Sequence, residues 1–370
     1  MARPSGSPSA PPLPPPPLVS YICVWCPNLP PTDLAMEPTV EAADADLVLL
    51  RVSLRGYSSC RDYFVYRAPS GGKGPLLWRL DNPDPYMLYR HNIALLAHRD
   101  VGDDGHIRPH VDDDGHYYMA ALNYDFDRPG NFMLFLYNSM DKKWTSSPVT
   151  LGIWRIHRTA KTITLGEGGL LGFVDPWRGI LVCDILGRKR EHYLPLPEHL
   201  IRLDKIDDEP LHVRDIDFVN GRLTLVELNR RTSYPDKVLN WDVTTWSISS
   251  PWEGQDAWQR DYSISTSSII VDDDTANVDL LCKQQGIAIT TQPALDGLRF
   301  THPTLSLSGS HIVYLMGKVR PGYDKKLVLS VDTRSPRLQG VAVFDAERMT
   351  GYTYTQSRIS NFFNMAWFQV

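Results

Sequence analysis

The stretch Leu170-Leu-Gly-Phe-Val-Asp175, Pro176-Trp-Arg-Gly179, Ile180-Leu-Val-Cys-Asp184, followed after a loop by His192-Tyr-Leu-Pro-Leu-Pro197, decides the fold. Its two central runs are apolar almost throughout and too short for ordinary helices, and turn residues part them. Each run closes on Asp, whose carboxylate can accept hydrogen bonds from backbone N–H groups of the turn that follows. Strands that are apolar on both faces need cover on both sides.

The same phrase returns along the chain. Asp215-Ile-Asp-Phe-Val219, Asn220-Gly221, Arg222 to Leu228, Val238-Leu-Asn-Trp-Asp242 and Trp246-Ser-Ile-Ser-Ser-Pro251 read as a second unit. A third runs through Thr304-Leu-Ser-Leu307, His311 to Met316, Leu327-Val-Leu-Ser-Val-Asp332 and Leu338-Gln-Gly-Val-Ala-Val-Phe344. A fourth, less complete, has Phe132 to Tyr137, Asn138 and Trp144-Thr-Ser-Ser-Pro148. Asn220-Gly221 supplies the positive φ angles of a type I′ hairpin. The Asp or Asn anchors at 138, 184, 242 and 332 lie 46, 58 and 90 residues apart, the last gap reading as two units. A period of roughly 40–50 residues with four strands per unit is that of a β-propeller blade, each blade covering its neighbour. Residues 45–370 have room for about six or seven. The expected fold is therefore all-β, a β-propeller of about six or seven blades. A β-sandwich or two smaller β domains is the alternative. Pro197-Glu-His-Leu-Ile-Arg-Leu203 is the one fair helix candidate, about two turns inside a loop.

Residues 1–38 stand apart. They hold 12 of the 29 prolines, and Pro11 to Pro17 read PPLPPPP, which favours extended polyproline II over a packed core. The expected organisation is a disordered Pro-rich tail over 1–38 and a single propeller-like domain over 39–370. An SH3- or WW-type ligand is the sharper reading of the tail.

The 370 residues are 42% hydrophobic and 22% charged, with a net charge of −5. This composition excludes wholesale disorder, a collagen-like chain and a strongly basic polymer binder. No apolar run approaches the ~18 residues of a membrane span. Neither nucleic acid nor membrane is an expected partner, and cytoplasm or nucleus is the expected compartment.

At the phrases already quoted the sequence resembles a plant family known from grasses, the domain of unknown function DUF1618. The resemblance rests on Gly169 to Asp184, Tyr193-Leu-Pro-Leu-Pro197, Arg214-Asp-Ile-Asp-Phe-Val219, Trp241-Asp-Val-Thr-Thr-Trp246, His302-Pro-Thr-Leu-Ser-Leu307 and Leu338-Gln-Gly-Val-Ala342. It implies a plant protein of propeller-like build. It brings no activity, cofactor or catalytic residue.

Motifs of chemistry are weak. Cys23, Cys26, Cys60, Cys183 and Cys282 are too scattered for a disulfide framework. Cys23-Val-Trp-Cys26 is followed by Pro27, Pro30 and Pro31, which disfavour the helix that a redox pair needs. Asp103-Asp-Gly-His106 through His110 and Asp112-Asp-Asp-Gly-His116 could offer metal ligands, but the spacing fits neither an EF-hand nor a helical His pair, and a mobile hairpin tip is expected. Asp207-Asp-Glu209 and Asp272-Asp-Asp274 read as acidic turns. Gly71-Gly-Lys-Gly-Pro75 is no phosphate loop. Arg188-Lys-Arg190 and Arg230-Arg231 read as solvated loops. Trp144, Trp177, Trp241, Trp246 and Trp252 read as blade packing. Leu194 to Leu200 only faintly resembles an F-box opening and reads as a loop. No residue is assigned as catalytic, cofactor-binding or metal-ligating. The expected function is a non-enzymatic protein-binding scaffold with a partner protein of unknown identity. The alternative is a hydrolase or lyase with carboxylate or His groups at a central channel.

Overall fold

The computed structural model describes residues 17–20, 22, 24, 30–54, 61–69, 74–81, 88, 91–97, 100–101, 107–108, 116–125, 127–128, 130–151, 156–166, 168–187, 189–205, 208–232, 239–250, 258–272, 274–285, 295, 298–309, 311–318, 325–345 and 356–362. Five four-stranded sheets account for most of them. Blade 1 holds β1 (Leu34–Asp44), β2 (Leu47–Leu54), β3 (Arg61–Arg67) and β4 (Leu76–Leu80). Blade 2 opens with β5 (Ile93–Ala97). A two-stranded ribbon, β6 (Asp100–Val101) and β7 (Ile107–Arg108), comes next, before β8 (Tyr117–Tyr124), β9 (Asn131–Asn138) and β10 (Lys143–Thr150) complete the blade. Blade 3 is β11 (Lys161–Thr164), β12 (Leu170–Asp175), β13 (Gly179–Asp184) and β14 (His192–Pro195). Blade 4 is β15 (Arg214–Val219), β16 (Arg222–Thr232), β17 (Leu239–Ser249) and β18 (Gln259–Ser265). A helix, α1 (Val278–Gln285), precedes blade 5, which is β19 (Arg299–Leu305), β20 (Ile312–Lys318), β21 (Lys325–Asp332) and β22 (Arg337–Asp345).

Each sheet is an antiparallel meander in chain order, entered at the strand nearest the axis. The fold is an all-β propeller, as expected. The blade count differs: among the described residues there are five blades, not six or seven. The innermost strands start 53 to 85 residues apart rather than 40–50, because several connections between blades are long and blade 2 carries the β6–β7 insertion between its first two strands. The 90-residue gap between Asp242 and Asp332 is one blade, since the link from β18 to β19 alone carries a 3-10 turn and α1.

Local expectations fare unevenly. Asn220 and Gly221 have φ of 51° and 79°, and Val219 pairs with Arg222, so the tight hairpin is there. The anchors at 138, 184 and 332 each accept a turn N–H, from Met140, Leu186 and Arg334 respectively. Asp242 does not. It lies within β17 and forms an ion pair with Arg231 across the strand pair. The two runs read as separate strands, 238–242 and 246–251, are largely one strand. The helix candidate at 197–203 forms only a three-residue 3-10 turn, Glu198–Leu200.

Burial explains the apolar strands. β13 is buried along its whole length because blades 2 and 4 press on its two faces. Leu181 and Cys183 join Ala120, Phe132 and Leu134 of blade 2, while Ile180 and Val182 join Ile216, Leu223 and Trp246 of blade 4. Similar clusters join blade 1 to blade 2 and blade 4 to blade 5. The outer strand β10 has no neighbour beyond it and is exposed at most positions.

Gly179 opens β13 where nothing larger fits. A Cβ there would stand 2.5 Å from the Leu194 carbonyl oxygen and 2.8 Å from the Tyr193 ring. Backbone cannot yield as a side chain can. Gly179→Ala is expected to lower unfolding stability by about 1–3 kcal/mol in chemical denaturation, whereas Gly187→Ala in an open turn is limited to its backbone strain.

Candidate functional site: the axial channel

A cavity of about 650 Å³ runs along the axis, walled by the innermost strands β1, β5, β11, β15 and β19 and by segment 356–362. It extends from His91 and Leu211, which precede their strands, to Gly166, Asn220 and Leu307, beyond the other strand ends.

An innermost strand has one edge without a strand partner, so its backbone groups need other partners. Side chains of neighbouring blades supply some. Asp44 of blade 1 accepts the Ala97 N–H of blade 2 at 2.9 Å. Thr162 of blade 3 donates to the Ile93 carbonyl of blade 2 at 2.8 Å. Asp215 of blade 4 accepts the Leu305 N–H of blade 5 at 3.0 Å.

The densest charge is at the blade 3–blade 4 seam. Lys161 Nζ lies 2.8 Å from Asp215 and 2.6 Å from Asp217. The alternation of β15 puts both carboxylates on one face, and β11 brings the ammonium to them. Burial pulls the Lys161 pKa down, but the two carboxylates outweigh it and hold the ammonium above its ordinary range. Burial pushes Asp215 up, against the pull of Lys161. Asp215 therefore touches blades 3 and 5 at once.

A second set of buried charges sits where blade 3 meets blade 4. Arg214, fully buried, pairs with Glu227 and donates to the carbonyls of Pro176 at 2.9 Å and Leu200 at 2.7 Å. Its guanidinium lies 4.8 Å from the Trp177 ring centroid. Asp175 holds that turn, accepting from Trp177 N–H and Arg178 Nη1 at 3.0 Å each and from Arg158 N–H at 2.9 Å.

His302 interrupts β19. Its φ is 50°, and the register with β20 shifts between Thr301 and Thr304. This bulge aligns with Pro303, which has no N–H to place in a ladder. Thr301 donates its hydroxyl proton to the His212 carbonyl at 3.0 Å, so His302 Nδ1 donates to the Thr301 oxygen at 3.1 Å. Burial, then His212 and Lys326, lower the His302 pKa to about 4. His157, between the Phe132 and Tyr193 rings, is likewise lowered to about 4, chiefly by burial.

The residues singled out from sequence fall elsewhere. His106 and His110 lie outside the described residues. His116 Nε2 is 2.8 Å from Asn138 Oδ1. Among the described residues no three His, Cys, Asp or Glu side chains gather as metal ligands. Cys23, Cys26 and Cys60 lie outside the description, as do Gly71 to Lys73, Asp207, Asp273, Arg188 and Trp252. Cys183 and Cys282 are buried, and burial pushes the Cys183 thiol up to about 12. Asp208 pairs with Lys205, and Asp272 with Arg337. Trp144, Trp177, Trp241 and Trp246 pack within or between blades. The sequence reading missed Lys161 and His302 as channel groups. The alternating Asp215 and Asp217 were the legible signal; their cation, 54 residues earlier, was not.

Two outcomes are expected. Lys161→Met leaves two carboxylates facing each other and should cost on the order of 3 kcal/mol in denaturant unfolding. Adding Asp217→Asn should restore part of that loss, read as a double-mutant coupling. For pH, His157 and His302 are neutral when folded and have pKa values below the unfolded one. The unfolded chain binds more protons, so stability is full above about 6.5 and falls as pH drops from there to about 4. Thermal melts across that range should show the decline, and His157→Phe should shallow it.

The family described as "Protein of unknown function (DUF1618)" matches residues 173–314, from β12 into β20. No curated protein matches the chain. Solved structures similar to it include the WD40 domain of SCAP from fission yeast, at 11% identity and a TM-score of 0.33. That match covers 83% of this chain, which in turn spans 65% of the SCAP chain. The β-propeller domain of Cps50 (Swd1) from Myceliophteria thermophila is 10% identical over 85% of this chain and 89% of its own, with a TM-score of 0.34. Sqt1 from Saccharomyces cerevisiae is 9% identical over 85% of this chain and 77% of its own, also at 0.34. The family match takes in Asp175, Trp177, Arg214, Asp215 and His302, which make polar and aromatic contacts around the joints of blades 3, 4 and 5.

Proposed function

We propose that this chain is a non-enzymatic scaffold that binds a partner protein through one end of the propeller, and that it is a plant member of the DUF1618 family working in cytoplasm or nucleus. The observation that carries the binding reading is at the end where strands 1–2 and 3–4 of each blade turn. Met140, in the β9–β10 turn, is 60% exposed, and Leu186, in the β13–β14 turn, is 38% exposed. They occupy equivalent turns of adjacent blades, so two apolar side chains project from the same end of the propeller, toward its outer rim. The ends of blade 3 differ in build: the opposite end is held by Asp175, Arg178 and Arg214, whose bonds run inward.

The enzyme alternative would draw on Asp215 and Asp217, the carboxylates that converge in the channel. Both are bound by the Lys161 ammonium, and Asp215 also by a backbone N–H. A protonated amine is neither base nor nucleophile, and carboxylates so bonded serve as links.

The test is affinity capture with matched variants. Met140→Asp with Leu186→Asp should abolish the partner set of the full chain while leaving the thermal midpoint within a few degrees. Leu203→Asp, 71% exposed but in the connection at the opposite end, should leave that set intact. Partners that persist in the double variant would reject the reading.

A further inference from the structure

Four of the five seams around the ring are made by two blades touching. Each has its own apolar cluster, drawn from both neighbours. The fifth, between blade 5 and blade 1, is built differently. Its cluster takes Val48 and Leu50 from β2, with Val40, Phe64 and Tyr66 of the same blade beside them, and among the described residues it holds none of blade 5. In place of blade 5 stand Ile359 and Phe362, with Val24. The same short segment reaches the other way with polar groups. Gln356 Nε2 donates to the Leu305 carbonyl, and Arg358 Nη2 donates to the Leu307 carbonyl at 3.1 Å, both at the end of β19. Ser357 Oγ accepts the Ile359 N–H at 3.0 Å and shapes the turn. Gln356, Arg358 and Phe362 also line the channel.

We infer that residues 356–362 form a strap that closes the ring by joining blade 5 to blade 1, and that the propeller opens at this seam. The physical reason is the kind of contact. The other seams bury large apolar areas from two sheets, whereas among the described residues this one rests on two side-chain donors and two apolar side chains of a seven-residue segment, with Val24 beside them. Local opening follows the least buried contacts first. Opening here would remove one wall of the channel and expose the Val48 and Leu50 face, without disturbing the clusters between blades 2, 3 and 4. This goes beyond the scaffold reading and does not depend on it.

Hydrogen exchange on the full chain tests it. One variant, Ile359→Asp with Phe362→Asp, removes the apolar half of the strap. A gentler one, Gln356→Ala with Arg358→Ala, removes the polar half. The expected result is exchange faster by about tenfold or more in β1, β2 and β19, with β12, β13, β16 and β17 unchanged. Selective acceleration in at least one variant supports the strap. Any result without it, whether no change or equal acceleration in all five blades, overturns it.

Discussion

In a propeller blade the strand nearest the axis has a partner on one side only. Its other edge faces the channel, and every N–H and C=O there must find a partner or water. This constraint organises the centre of the molecule. Asp44, Thr162 and Asp215 each reach from one blade to the backbone of the next. Lys161 adds an ionic link between blades 3 and 4. The polar groups of the channel are thus largely the fastenings of the ring. Their charge is matched locally, which is why Lys161 can lie mostly buried and still keep its proton.

The same logic accounts for the phrases that gave the sequence its family likeness. Asp175-Pro-Trp-Arg178 is a turn whose carboxylate gathers two backbone N–H groups and a guanidinium. Trp177 lies beside Arg214, and Arg214 reaches back to the Pro176 and Leu200 carbonyls. A buried arginine is costly unless every donor has a partner. Here Glu227, two carbonyls and an aromatic ring meet it, so the charge can specify how blade 4 seats on blade 3. The residues most distinctive in the sequence therefore belong to a joint, and a joint by itself names no substrate.

Much of the local structure was legible. Asn220-Gly221 had to be a hairpin, because few other dipeptides accept two positive φ angles. The runs at 170–175 and 180–184 had to be covered strands. The elements that escaped were those without such a signal. β11 reads Lys-Thr-Ile-Thr and β18 reads Gln-Arg-Asp-Tyr-Ser-Ile-Ser, polar strands at the axis and at the rim, where one face or edge meets water. Asp242 resembled the turn anchors in composition, yet it sits inside an eleven-residue strand opposite Asn229. Spacing misled on the blade count because loops between blades, and the β6–β7 insertion inside blade 2, vary in length without altering the four-stranded sheets.

By itself the sequence determined that the chain is built of short strands, apolar on both faces and punctuated by Asp and Asn turns. Those properties are local: alternation, turn chemistry and side-chain shape act over a few residues. Only the tertiary structure decided that the described strands make five sheets around one channel, that Lys161 meets Asp215 and Asp217, and that segment 356–362 touches both blade 1 and blade 5. Each depends on residues dozens of positions apart arriving at one place, and no pattern along the chain records that distance. What brings them together is the burial of one sheet against the next, a property of the whole ring.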